Sequence, residues 1–223
     1  YEISLGLVGS EMCIRDRLEQ GQYAKAETLF RRAVAGCTEK LGATHQETLI
    51  STNNLALALK NQKGKPKQDE AARLFRRVLA AQEATLGTDH GDTLMTAGNL
   101  AALLSKQGEH AEALPLERRT LAGLEARLGA EHPHTLIAVN NLAKTLEQRR
   151  RFDEAEPRLR RALAGEEARH GPSHPHTVRA VWRLAAFFDG IDEGAPQGAR
   201  EIPLAPSRGP LPFAYQVAEF HAG

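Results

Sequence analysis

Aromatic side chains are scarce in this chain of 223 residues: one Trp, three Tyr and seven Phe make up 5%. Leu and Ala supply most of the apolar side chains, a balance that favours helix over sheet. Cysteine stops at two, Cys13 and Cys37, in a pattern that suggests neither a disulfide framework nor a zinc site. A reducing, cytoplasmic setting is therefore expected. The formal net charge is only +1, which removes any bulk electrostatic case for nucleic acid or an anionic membrane. No apolar run approaches the ~20 residues of a membrane-spanning helix. The start, Ile3 to Gly9, is too short for a signal core and has no basic leader. Also missing are a glycine-rich phosphate loop, a Gly-x-Ser-x-Gly elbow and a His-Glu-x-x-His pair. Catalysis needs a positioned acid, base or nucleophile. None is visible, so no enzyme activity, no catalytic residue and no cofactor is expected.

What the chain does have is one phrase written four times. It reads Leu41-Gly42-Ala43-Thr44-His45, Leu86-Gly87-Thr88-Asp89-His90, Leu128-Gly129-Ala130-Glu131-His132 and His170-Gly171-Pro172-Ser173-His174. A threonine follows each histidine three places later, at Thr48, Thr93, Thr135 and Thr177, and the histidines lie 45, 42 and 42 residues apart. A fixed period of this size marks a repeat array. With 41% hydrophobic and 26% charged residues, a soluble array is expected.

Between successive phrases the apolar residues fall on two helical stripes. In the third unit the first is Leu136, Val139, Leu142, Ala143 and Leu146, and the second is Phe152, Ala155, Leu159, Ala162 and Leu163. Thr135 is a candidate cap of the first helix, with His134 and Pro133 beside it leaving the cap's identity open, and Gly171 is expected to end the second in a left-handed conformation. The spacing predicts first helices over about 47–62, 92–107, 134–150 and 176–189, and second helices over about 22–41, 68–86, 110–128 and 152–170. Such hairpins cannot bury both stripes alone, but stacking them in series does. Three extra residues in the first full unit fall in the turn Lys63-Gly64-Lys65-Pro66-Lys67. The second unit is the weakest match, with Glu117 and Thr120 where the third has Leu159 and Ala162.

The phrase Asn-Leu-Ala at 54–56, 99–101 and 141–143, framed by His-(Pro)-x-Thr before it and Ala-Glu-Pro or variants after it, resembles the tetratricopeptide repeat. The 42-residue period resembles its long form, typical of kinesin light chains. The resemblance covers residues 18–189. It implies an all-α, right-handed superhelical solenoid of antiparallel helix pairs that acts as a protein-interaction scaffold, in kinesin light chains a cargo adaptor of the cytoplasm and cytoskeleton. The heptad run that would join a kinesin heavy chain is absent here, so such a partner would be held through other sequence. The alternative is a regulatory array belonging to a larger signalling enzyme.

In proteins of this type the first helix of each pair lines the concave groove. That implies Asn53, Leu57, Lys60 and Asn61 in the first unit, and Met95, Gly98, Ala102, Ser105 and Lys106 in the second. In the third it implies Ile137, Asn140, Lys144, Glu147 and Gln148, and Trp182 takes the register of Asn140 one unit on. An asparagine side chain can hold a peptide backbone or tie helices together, and both readings stay open for Asn53 and Asn140. Lys60, Lys106 and Lys144 tint the groove positive, which fits an acidic peptide. The histidines cannot share a metal ion, because equivalent ones are a full helix pair apart. They are expected to bond to loop carbonyls. The arginine pairs at 31–32, 76–77, 118–119 and 160–161 read as a solvated outer face.

The ends read differently. Residues 7–16 resemble one reading frame of a transposase adapter used in sequencing libraries, so 1–17 are expected to be an artefactual or disordered leader. From Gly190 to the end, glycine and proline recur and disorder is expected over most of 190–223. An apolar patch there, Phe213, Tyr215, Val217 and Phe220, could cap the last helix.

Overall fold

The computed structural model describes residues 22–192. The leader 1–17 and the patch at Phe213 to Phe220 lie outside the described residues. Eight α-helices and no strand occur among the described residues: α1 (Tyr23–Leu41), α2 (Gln46–Lys60), α3 (Lys65–Leu86), α4 (Gly91–Gln107), α5 (His110–Leu128), α6 (Pro133–Gln148), α7 (Phe152–His170) and α8 (Pro175–Asp192). The chain divides into two compact units, Tyr1–Ala126 and Arg127–Gly223.

In the first unit α1 packs on α2, α2 on α3 and α3 on α4. The core forms where the stripes meet: Phe30 of α1, Leu55 and Leu59 of α2, Phe75 of α3, and Leu100 and Leu104 of α4 are all buried. Ala26, Ala56, Ala71 and Ala97 fill the crossings between them, small enough for close helix approach. In the second unit α6 packs on α7 and α7 on α8, where the Phe152 and Phe187 rings meet edge to face at 5.7 Å.

The repeated phrase proves to be a closure between one helix pair and the next. Gly42, Gly87, Gly129 and Gly171 all adopt φ between +80° and +94°, a region costly for any residue with a Cβ. The histidine then caps the following helix. His45 Nδ1 accepts from the Glu47 amide at 3.3 Å, His90 Nδ1 from Asp92 at 3.3 Å and His132 Nδ1 from His134 at 3.2 Å. This corrects one expectation, since the ring accepts from an amide instead of donating to a loop carbonyl, and it identifies His132, not Thr135, as the cap. A helix start offers unpaired donors, so an acceptor is what the position needs. Threonine closes the other side. Thr48 Oγ1 donates to the Gly42 carbonyl and Thr135 Oγ1 to the Gly129 carbonyl, each at 2.8 Å. Thr93 is fully buried, yet its hydroxyl has no partner.

Some helix ends differ from the periodicity. α3 starts at Lys65, because Pro66 is tolerated in a first turn where no amide need be paired, so Lys65 to Lys67 are helix and not turn. α2 ends at Lys60 because Asn61 caps it: its backbone N–H and its side-chain Nδ2 both donate to the Leu57 carbonyl. α6 stops at Gln148, and Arg150 takes φ +56°, the place that Gly108 (φ +86°) holds one repeat earlier. α8 continues through Gly190 to Asp192.

Candidate functional site

The first helices of the pairs, α2 and α4 in one unit and α6 and α8 in the other, carry every residue expected to meet a partner. Their inner stripes are consumed by packing, so only the remaining face is available. On α2, Asn53 is half-buried and its Oδ1 accepts from the Thr96 hydroxyl of α4 at 3.4 Å. That contact is long for an O–H···O bond and is a weak tie between α2 and α4. Leu57 is half-buried against the core of this unit. Asn61 is exposed but spends its amide on the α2 cap.

On α4, Met95 is 40% exposed and Lys106 is exposed, while Ala102 is half-buried. Two residues of this set do not face outward. Ser105 is buried, at 6%. A Cβ at Gly98 would lie 3.2 Å from Thr120 Cγ2, so Gly98 is a crossing point of α4 and α5. In the second unit Ile137 is 55% exposed, Lys144 and Gln148 are exposed, and Asn140 and Glu147 are half-buried on α6. Trp182 of α8 is 50% exposed.

Lys60 is the unusual member. It is half-buried at the end of α2, and its Nζ reaches the Asn99 carbonyl of α4 at 3.5 Å, a long hydrogen bond. Burial, and after it the charge on Lys106, lower its pKa from 10.5 to about 8. The charged form of Lys60 is thus disfavoured by poor solvation first and by the like charge of Lys106 on α4 second.

Sequence reasoning missed Ile50, which is 38% exposed. The signal was there: Ile50, Met95 and Ile137 each stand five residues after the capping histidine. It missed a packing device too. A Cβ at Gly123 would meet the Leu94 side chain at 2.5 Å, and one at Gly165 would meet Leu136 at 2.6 Å. Both glycines stand six residues before the loop glycine, where Ala81 stands in α3.

The second helices carry a different chemistry. Arg31 of α1 pairs with Glu70 of α3 at 2.8 Å, and Arg76 of α3 grips Glu112 of α5 with two bonds of 3.0 and 2.8 Å. Arg119 returns from α5 to Glu83 of α3 at 2.6 Å. One arginine of each of the first three pairs, Arg31, Arg76 and Arg119, therefore ties successive repeats together, on a face where Arg31, Arg32, Arg76, Arg77 and Arg118 stay exposed as expected. Glu27 anchors a further knot. Burial opposes its ionisation, but hydrogen bonds from Lys67, Gln62 and Arg31 outweigh that and hold its pKa at about 2, below 4.5. No three His, Cys, Asp or Glu are grouped as a metal ion would need among the described residues. No helix there is long and apolar enough to cross a membrane.

A tetratricopeptide repeat family model matches residues 15–68 and 67–126, and a second tetratricopeptide repeat model matches 135–176. Among solved structures, a Podosopora anserina protein provisionally named a kinesin light chain, with nearly identical TPR-like repeats, is similar at 25% identity. Of its two crystal structures, one is a point variant that aligns with a TM-score of 0.71 over 84% of this chain and 87% of that one. The other aligns with a TM-score of 0.70 over 84% and 88%. BtubC (BKLC) from P. vanneervenii is similar in fold, with a TM-score of 0.67 and 18% identity over 81% of this chain and 70% of that one. No curated protein matches the chain.

Proposed function

The chain belongs to the tetratricopeptide repeat family, a protein-interaction scaffold, and from that premise we propose that its first helices bind an acidic peptide or protein segment. The observation that carries this is the Lys60–Lys106 pair. Holding a half-buried ammonium beside a second one disfavours its charged form, and a ligand carboxylate placed between them relieves that cost. Ile50 and Met95 supply apolar contact on the same two helices, so the preferred ligand mixes acidic residues with large apolar ones.

The likeness to the P. anserina protein supports reading this scaffold as a cargo adaptor of the kinesin light chain kind, working in the cytoplasm at the cytoskeleton. A kinesin heavy chain would then be joined through sequence other than these repeats. The test of the groove reading is charge reversal. Lys106→Glu weakens binding of an acidic, apolar-containing peptide by about tenfold or more, from loss of attraction and gain of repulsion. Equal affinity of the variant and the native chain for that peptide contradicts the proposal.

A further inference from the structure

α8 is the first helix of a pair, yet among the described residues no second helix lies over it. The consequence shows when its side chains are set against their equivalents 42 residues earlier. Leu136, Val139 and Ala143 of α6 are 2%, 0% and 0% exposed, and Leu136 is seated on Gly165 of its partner α7. Val178, Val181 and Ala185 hold the same registers in α8 and are only half-buried. The opposite face of α8 is satisfied: Leu184 and Phe187 are buried, and Phe187 packs on Phe152 of α7. Trp182, 50% exposed, adjoins the open stripe, since 178, 181, 182 and 185 are spaced i, i+3, i+4, i+7. An apolar strip of this kind at an array end needs a cover.

The chain that follows cannot supply an ordinary second helix at once. Gly194, Pro196, Gly198, Pro203, Pro206, Gly209, Pro210 and Pro212 interrupt every stretch that could form one. The first run of more than four residues free of both is Phe213 to Ala222. It places Phe213, Val217 and Phe220 at i, i+4 and i+7, the spacing of one helical stripe. The intervening residues span up to about 70 Å when extended, while α8 is about 27 Å long, so the run can return to any part of it. A tether of that length keeps the segment at roughly millimolar effective concentration.

We propose that the segment Phe213 to Phe220 docks on the Val178–Val181–Ala185 stripe of α8 and covers Trp182, giving α8 the cover that a second helix gives α6. Trp182 is the only tryptophan, so its fluorescence reports on this site alone. The experiment compares the full chain with Phe213→Ser/Phe220→Ser and with a chain ending at Pro212, circular dichroism confirming that helix content is retained. The full chain is expected to show blue-shifted Trp182 emission and protection from acrylamide at every protein concentration. Both variants are expected to show red-shifted, readily quenched emission, and an added peptide of residues 211–223 to restore protection to the shortened chain. Identical emission and quenching in all three overturns the proposal. Protection that grows with protein concentration also overturns it, since a second copy is then the occupant.

Discussion

At the residue scale, the repeated Gly-x-x-His-x-x-Thr phrase is architecture. Glycine supplies a positive φ, histidine an acceptor for a helix start, and threonine a donor back to the glycine carbonyl. Thr177, which donates to the Glu166 carbonyl, and Thr93 depart from the pattern, and Thr93 gives a paired test. Thr135→Val removes the 2.8 Å bond to Gly129 and costs about 1 kcal/mol. Thr93→Val removes a buried hydroxyl that has no partner while keeping the side chain's shape, and is neutral or stabilising. Chemical denaturation of the two variants checks the contrast. Equal losses would mean that the threonines act through packing alone. The histidines were visible in the sequence at once, but not their role, because a ring nitrogen can donate or accept and only the geometry of the helix start decides which.

At the element scale, stripe spacing sets which helices form and which faces pack, and the sequence displays it openly. What the stripes do not display is how closely two helices approach. Gly165 and Leu136 are in contact that leaves no room for a methyl group, since a Cβ at Gly165 would lie 2.6 and 2.7 Å from the Leu136 methyls. Gly165→Ala therefore forces a buried leucine aside, a cost of about 1–3 kcal/mol that exceeds the roughly 1 kcal/mol gained in helix propensity. Gly36→Ala in α1 meets nothing within 4 Å and keeps the gain alone, so it stabilises by about 0.5–1 kcal/mol. Opposite shifts in melting temperature confirm this, and shifts of the same sign refute it. The inter-repeat bridges Arg31–Glu70 and Arg76–Glu112 were also hidden, since partners 36 to 39 residues apart become neighbours only once the pairs have stacked.

At the scale of the whole molecule, the chain is a tetratricopeptide repeat protein whose fold follows from a 42-residue period. Its groove was less legible. Four or five residues on each of α2, α4 and α6 were expected to face a partner, but Ser105 is buried, Gly98 is a crossing point and Asn53 contacts Thr96. Periodicity separates an inner from an outer stripe, yet the edge between them is shared with the neighbouring pair, and residues there pack whenever that neighbour is close. Lys60 sits on that edge, which is why its charge is exceptional and why the central claim can be tested through it. The measurement is the affinity of an acidic, apolar-containing peptide as a function of pH, for the native chain and for Lys60→Met. Below about 8 Lys60 is an ammonium and attracts the ligand carboxylate, and above that it is a neutral amine. The account predicts affinity that is steady near pH 7 and falls about tenfold by pH 9 as that proton is lost, and weaker binding without the fall in Lys60→Met. A flat profile in the native chain, or a Lys60→Met variant that binds as well as the native chain at pH 7, would contradict it.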